Sequence, residues 1–188
     1  ALTTTGIDNS SGTLDVAGPL TLTTQNLANV DGALRHTGQE ALQIDVAQTL
    51  NNTAGEIASN GVDLRITAQT VDNTDGRIAH AGNGKLTVAS QALVNTAGSI
   101  EGQGAVTLTT TQLGNAGGAI GSAKALTLTA GSLDNQAGQI VGNATGTVSV
   151  TGAVDNRGGK LLTVDDLSLS AGSIDNRNGS LQTGGDLT

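Results

Sequence analysis

The sequence holds 188 residues with no Phe, Tyr, Trp, Met or Cys and a single Pro, which excludes an aromatic-filled globular core, disulfides and thiolate metal sites. A net charge of −8 would repel DNA or RNA, and no ring is present to stack a base. No apolar run is long enough to cross a bilayer as a helix, so neither a nucleic-acid partner nor membrane insertion is expected.

Read from the N-terminus, one unit recurs: an apolar residue, Asn two positions on, Gly three further, a second apolar residue two further, then an apolar-x-apolar pair. The first copy is Ile7, Asn9, Gly12, Leu14 and the pair Leu20/Leu22. The second is Leu27, Asn29, Gly32, Leu34 and Leu42/Ile44. The third is Leu50, Asn52, Gly55, Ile57 and Leu64/Ile66. The fourth is Val71, Asn73, Gly76, Ile78 and Leu86/Val88. The fifth is Leu93, Asn95, Gly98, Ile100 and Val106/Leu108. The sixth is Leu113, Asn115, Gly118, Ile120 and Leu126/Leu128. The seventh is Leu133, Asn135, Gly138, Ile140 and Val148/Val150. The eighth is Val154, Asn156, Gly159, Leu161 and Leu167/Leu169. The ninth is Ile174, Asn176, Gly179 and Leu181, breaking off near Leu187.

Alternation in short pieces bounded by Gly and Asn predicts strands, about three per repeat. Helix is excluded because Gly, Thr, Asn and Ser dominate and no 3.6-residue stripe persists. One repeat alone buries too little to offset the entropy of ordering it; stacked repeats hydrogen-bond strand to strand and pack like on like. The expected fold is therefore all-β, a single-stranded parallel β-helix of nine coils of roughly 20 residues, spanning 1–188 as one unit.

Within that fold the Asn and Gly columns predict a structural ladder at a corner. The Asn amide is expected to bond its neighbour in the stack or the turn backbone, and Gly to supply a positive φ. Most extra residues are expected in a bulging loop, as in 35–41, 79–85 and 141–147.

The exterior offers weak candidates for chemistry. Asp8, Asp72, Asp134, Asp155 and Asp175 precede the Asn column, and Arg157 and Arg177 stand close enough to neutralise the last two; they predict a solvated surface ladder. A calcium β-roll would need a Gly-Gly-x-Gly-x-Asp nonapeptide, which is missing. His36 and His80 share one column with Ser59 between and are expected to face solvent, without further metal ligands. The outward pairs Thr21/Thr23, Thr107/Thr109, Thr127/Thr129, Ser149/Thr151 and Ser168/Ser170 invite comparison with an ice-binding array, but β propensity explains them. No nucleophile elbow or acid cluster with basic partners is present. The expectation is no catalytic residue, no metal, no cofactor and no enzyme.

The octets 133–140 (LDNQAGQI) and 174–181 (IDNRNGSL), with Gly185-Asp186-Leu187-Thr188, resemble the haemagglutinin repeats of filamentous haemagglutinin-type exoproteins, which include adhesins and contact-dependent growth-inhibition effectors. The resemblance runs the whole length of the chain. It implies a right-handed β-helix exported by two-partner secretion through an outer-membrane transporter and displayed outside a Gram-negative cell. It also implies a rod segment excised from a longer filament that carries distal binding or toxin modules, with a host or target-cell receptor as a possible further partner.

Overall fold

The computed structural model describes residues 1–188. It contains no helix, and every strand pairing in it is parallel. Nine strands, beginning with Thr13–Val16 and ending with Ser180–Thr183, stack in sequence order into one sheet. Each follows a ladder Gly and centres on the apolar residue two positions after it. Leu34, Ile57, Ile78, Ile100, Ile120 and Ile140 thus lie one above another.

The opposite wall carries the apolar-x-apolar pair and the residue before Asn. In six coils these run on as one bent strand, as in Leu20–Ala28, Val106–Gly114 and Leu167–Asp175. In three they separate: Leu2–Thr3 from Gly6–Asp8, Leu64–Thr67 from Thr70–Asp72, and Leu86–Ala89 from Ala92–Val94. A complete coil thus holds two or three strands rather than a uniform three. The bend shows in the burial, where Thr110 points in, Thr111 and Gln112 both point out, and Leu113 points in again. Two successive outward residues are a change of face, which strict alternation forbids within a flat strand.

The bend also exposes an inward position that the sequence reading missed, two residues after the apolar pair. Thr24, Val46, Thr110, Ala130 and Val150 fill it and are buried. Val150 was expected in the pair itself. The register instead sets Gly146 opposite Leu126 and Val148 opposite Leu128, and places Val150 beside Ala130. An apolar residue at the third inward site, following a Gly at the first, shifts the apparent pair by one alternation. The extra residue of that coil consequently falls at the bend, where the register slips between Ala130 and Leu133, and not in the 141–147 loop. The loops at 37–41 and 81–85 do bulge as expected, each occupying a longer stretch than 103–105 or 123–125.

Thirty-one buried aliphatic residues form a single cluster down the axis. Leu, Ile and Val fill it without aromatics because each coil needs only a thin layer, and the next coil repeats the same shapes above it.

Candidate functional site

The most regular feature is the Asn–Gly corner. Asn29, Asn52, Asn73, Asn95, Asn115, Asn135 and Asn156 are fully buried or within one per cent of it. Each donates its Nδ2–H to the Oδ1 of the next Asn down the stack, at 2.7 Å from Asn95 to Asn115 and 2.7 Å from Asn115 to Asn135. The chain of amides runs from Asn9 to Asn176 without a gap. The second Nδ2 proton points between two carbonyls, in the case of Asn95 those of Gly98 at 3.2 Å and Ala119 at 3.1 Å. The amide therefore bonds both the stack and the turn backbone. A buried amide has a donor and an acceptor to satisfy at once, and a column of identical amides satisfies both.

The turn itself is closed by the Gly N–H on the Asn carbonyl, 3.1 Å for Gly118 to Asn115. Its third residue has the positive φ, which marks a type II turn. That residue is Ser11, Asp31, Ala54, Asp75, Ala97, Ala137 or Asn178 in seven coils, and Gly117 or Gly158 in the other two. The ladder glycines themselves do not have positive φ, contrary to the expectation from sequence. They are glycine for want of space. A Cβ on Gly118 would fall inside contact distance of the Asn95 carbonyl oxygen in the preceding coil, and each ladder glycine from Gly32 to Gly179 meets the same obstruction. The missing side chain lets one corner sit directly on the last.

Across the interior runs a second polar column, at the inward site that ends each short strand. It holds His36, Ser59, His80, Gly102, Ser122, Gly142 and Thr163. Both histidines are one per cent exposed, so the expectation that they face solvent is overturned. They stand in the coils with the longest loops, 37–41 and 81–85, where an imidazole fills room that shorter loops leave to Gly, Ser or Thr. His36 Nε2 lies 3.0 Å from the Gly18 carbonyl, which can only accept, so Nε2 carries the proton and Nδ1 accepts from the Ser59 hydroxyl at 3.1 Å. His80 Nε2 donates likewise to the Val62 carbonyl at 3.2 Å, and its Nδ1 has no partner. Ser122 and Thr163 satisfy loop carbonyls with hydroxyls, Ser122 reaching Ala125 at 2.9 Å and Thr163 reaching Asp165 at 3.0 Å.

Outside the corner, the acidic column has a local task. Asp72, Asp134, Asp155 and Asp175 each accept the N–H two residues on, at 3.0 to 3.2 Å, and Asn51 does the same for Thr53. These Asx turns fix the entry to the corner. The Arg157 guanidinium lies 2.7 Å from Asp155 and 3.8 Å from Asp175, and Arg177 lies 2.7 Å from Asp175. The side-chain hydrogen bond from each arginine holds its aspartate below the usual carboxylate value. A second ionic zigzag, unforeseen from sequence, crosses the short-strand sheet through Arg35, Glu56, Arg77 and Glu101 at 2.9, 3.3 and 3.5 Å. Its signal was present: charged residues flank the central apolar position on its outward sides.

Register also revises the hydroxyl array. Thr147 aligns with Thr127 and Ser168, and Ser149 with Thr129 and Ser170, so the pair in that coil is Thr147/Ser149 and not Ser149/Thr151. No group of three or more His, Asp or Glu side chains converges in a geometry that holds a metal ion.

A family model described as haemagglutinin repeat matches residues 1–54, 37–101, 78–117, 102–158 and 143–188, which together cover the chain. Comparison with curated proteins and with solved structures gave no match.

Proposed function

This chain belongs to the haemagglutinin-repeat family, and from that premise we propose that it is a rod segment of a filamentous, surface-exposed adhesin or growth-inhibition effector, holding distal binding or toxin modules away from the cell. The repeat is an adhesin-type structural unit typical of secreted bacterial proteins. The observation that carries the reading is the unbroken Asn ladder from Asn9 to Asn176. At about 4.8 Å per coil the segment contributes roughly 40 Å of length. Each new coil completes its hydrogen bonds on the one before it, so an emerging array can add coil upon coil. That suits export as an unfolded chain through an outer-membrane two-partner-secretion transporter.

Deletion of residues 95–134 joins Val94 to Asn135 and removes two ladder steps in register. The expected product folds cooperatively and is shorter by about 10 Å in solution X-ray scattering, while distal modules in the full-length filament keep their binding. Loss of folding, or of distal binding, would contradict the rod.

One observation favours a second reading, in which the loop corner contacts a receptor on a host or target cell. Val62 and Val164 are large apolar residues exposed at 57% and 52%, and both lie at that corner. Cell binding by the isolated segment, abolished by Val62→Ser with Val164→Ser, would replace the rod reading with this one.

A further inference from the structure

The geometry points to a self-modification site at Asn83–Gly84, where the asparagine converts to aspartate and isoaspartate by intramolecular attack, activated by Lys124. The sequence has three Asn-Gly dipeptides, at 60–61, 83–84 and 178–179. In such a pair the backbone nitrogen of Gly attacks the side-chain carbonyl carbon of Asn, and the missing Cβ leaves the approach open. The new bond joins Gly N to Asn Cγ. The Cγ–Nδ2 bond breaks, and the side-chain nitrogen leaves as ammonia with the proton given up by the backbone amide. Water then opens the cyclic imide at either carbonyl.

The reaction needs a backbone amide free of hydrogen bonds and a free side chain, and the fold grants both to one pair only. Gly61 is buried and its N–H donates to the Ser59 hydroxyl at 3.2 Å. The Gly179 N–H donates to the Asn176 carbonyl at 3.0 Å and closes a ladder turn. Gly84, in the bulging loop 81–85, donates its N–H to no protein group, and the exposed Asn83 side chain is equally unbound.

Lys124 supplies the activation. Its Nζ reaches across an intervening coil and donates to the Asn83 backbone oxygen at 3.2 Å. That carbonyl belongs to the same peptide group as the Gly84 nitrogen. An ammonium on the oxygen draws charge from the nitrogen and stabilises the amide anion that attacks. The same carbonyl becomes one of the two imide carbonyls, so Lys124 also favours its hydrolysis, the branch that yields isoaspartate.

The test incubates the folded segment in mildly alkaline buffer and maps the amide-to-acid mass shift and isoaspartate at each site by peptide mass spectrometry. Asn83 should convert several-fold ahead of Asn60 and Asn178, and the three should level in denaturant. Lys124→Gln, an exposed change, should slow Asn83 several-fold and leave Asn60 unchanged. Ser59→Ala should free the Gly61 amide and raise conversion at Asn60. Asn83 converting no faster than Asn60 in the folded protein would overturn the site, and an unchanged rate in Lys124→Gln would overturn its activation.

Discussion

The two polar corners of the coil face the same problem and answer it differently. At one, a buried side chain bonds another copy of itself, so the solution is identical in every coil and fixes the register of all of them. At the other, His36, His80, Ser122 and Thr163 each reach a different loop carbonyl, and Ser59 bonds the His36 ring and the Gly61 N–H. That corner tolerates loops of several lengths and leaves one buried nitrogen, His80 Nδ1, without a partner. A self-complementary group carries order along a stack; hydroxyls and imidazoles bond whatever their own loop or the adjacent coil offers. Length and surface variation belong to the second corner, and rigidity to the first.

Substitutions that separate the corners should differ most in size at the ladder glycines. Gly118→Ala sets a methyl group against the Asn95 carbonyl, and the expected loss is about 4 kcal/mol or more in urea denaturation. The neighbouring Gly117→Ala meets nothing within 4 Å and keeps a positive φ that Ala already adopts at 97 and 137, so the expected loss is about 1 kcal/mol. Equal effects would show that space at the corner is not what selects Gly.

Next in size is the ladder itself. Asn115→Ala takes the acceptor from Asn95 and the donor from Asn135, and leaves the Gly118 and Gln139 carbonyls without that amide. Several buried polar groups lose partners together, and about 3 kcal/mol should be lost in the same measurement. Ser122→Ala, at the opposite corner, should lose about 1 kcal/mol. The reverse order would make the variable corner the stronger one.

A smaller gain should come from Ala97→Gly, which removes a Cβ from a left-handed residue with φ of 53°. The expected rise in stability is about 1 kcal/mol or less, because glycine also loosens the unfolded chain. A loss would mean that the Ala97 methyl makes contacts worth more than the strain.

The smallest effect lies at the surface. The arginines hold Asp155 and Asp175 below their ordinary value of 3.8. A carboxylate depressed by folding contributes stability above its unfolded value and loses it as pH falls through the folded one. Acid denaturation below pH 3.8 should therefore be slightly steeper in the natural protein than in Asp155→Asn with Asp175→Asn. Exposure makes this a small term, and identical profiles would remove it.

The parts legible in the sequence were those that repeat. The Asn and Gly columns, the aliphatic files and the coil period are each set by contact between like residues, so one coil predicts the next. The buried histidines were not legible, because exposure of the column depends on how much room a variable loop leaves, and His is polar enough to suit either face. The Val148/Val150 misalignment arose because the third inward site accepts Val as readily as the first. The cause of the glycine column was hidden as well, since a positive φ and a close approach select the same residue. Only the position of Asn95 O beneath Gly118 tells them apart.

Side-chain amide NMR tests the stacked ladder most directly. Resonances of Asn29 through Asn156 should exchange slowly with solvent and show through-space contacts from each Asn to the next in the order 29, 52, 73, 95, 115, 135, 156. Fast-exchanging amides, or contacts that skip or scramble that order, would contradict a rod built on one continuous file of asparagines.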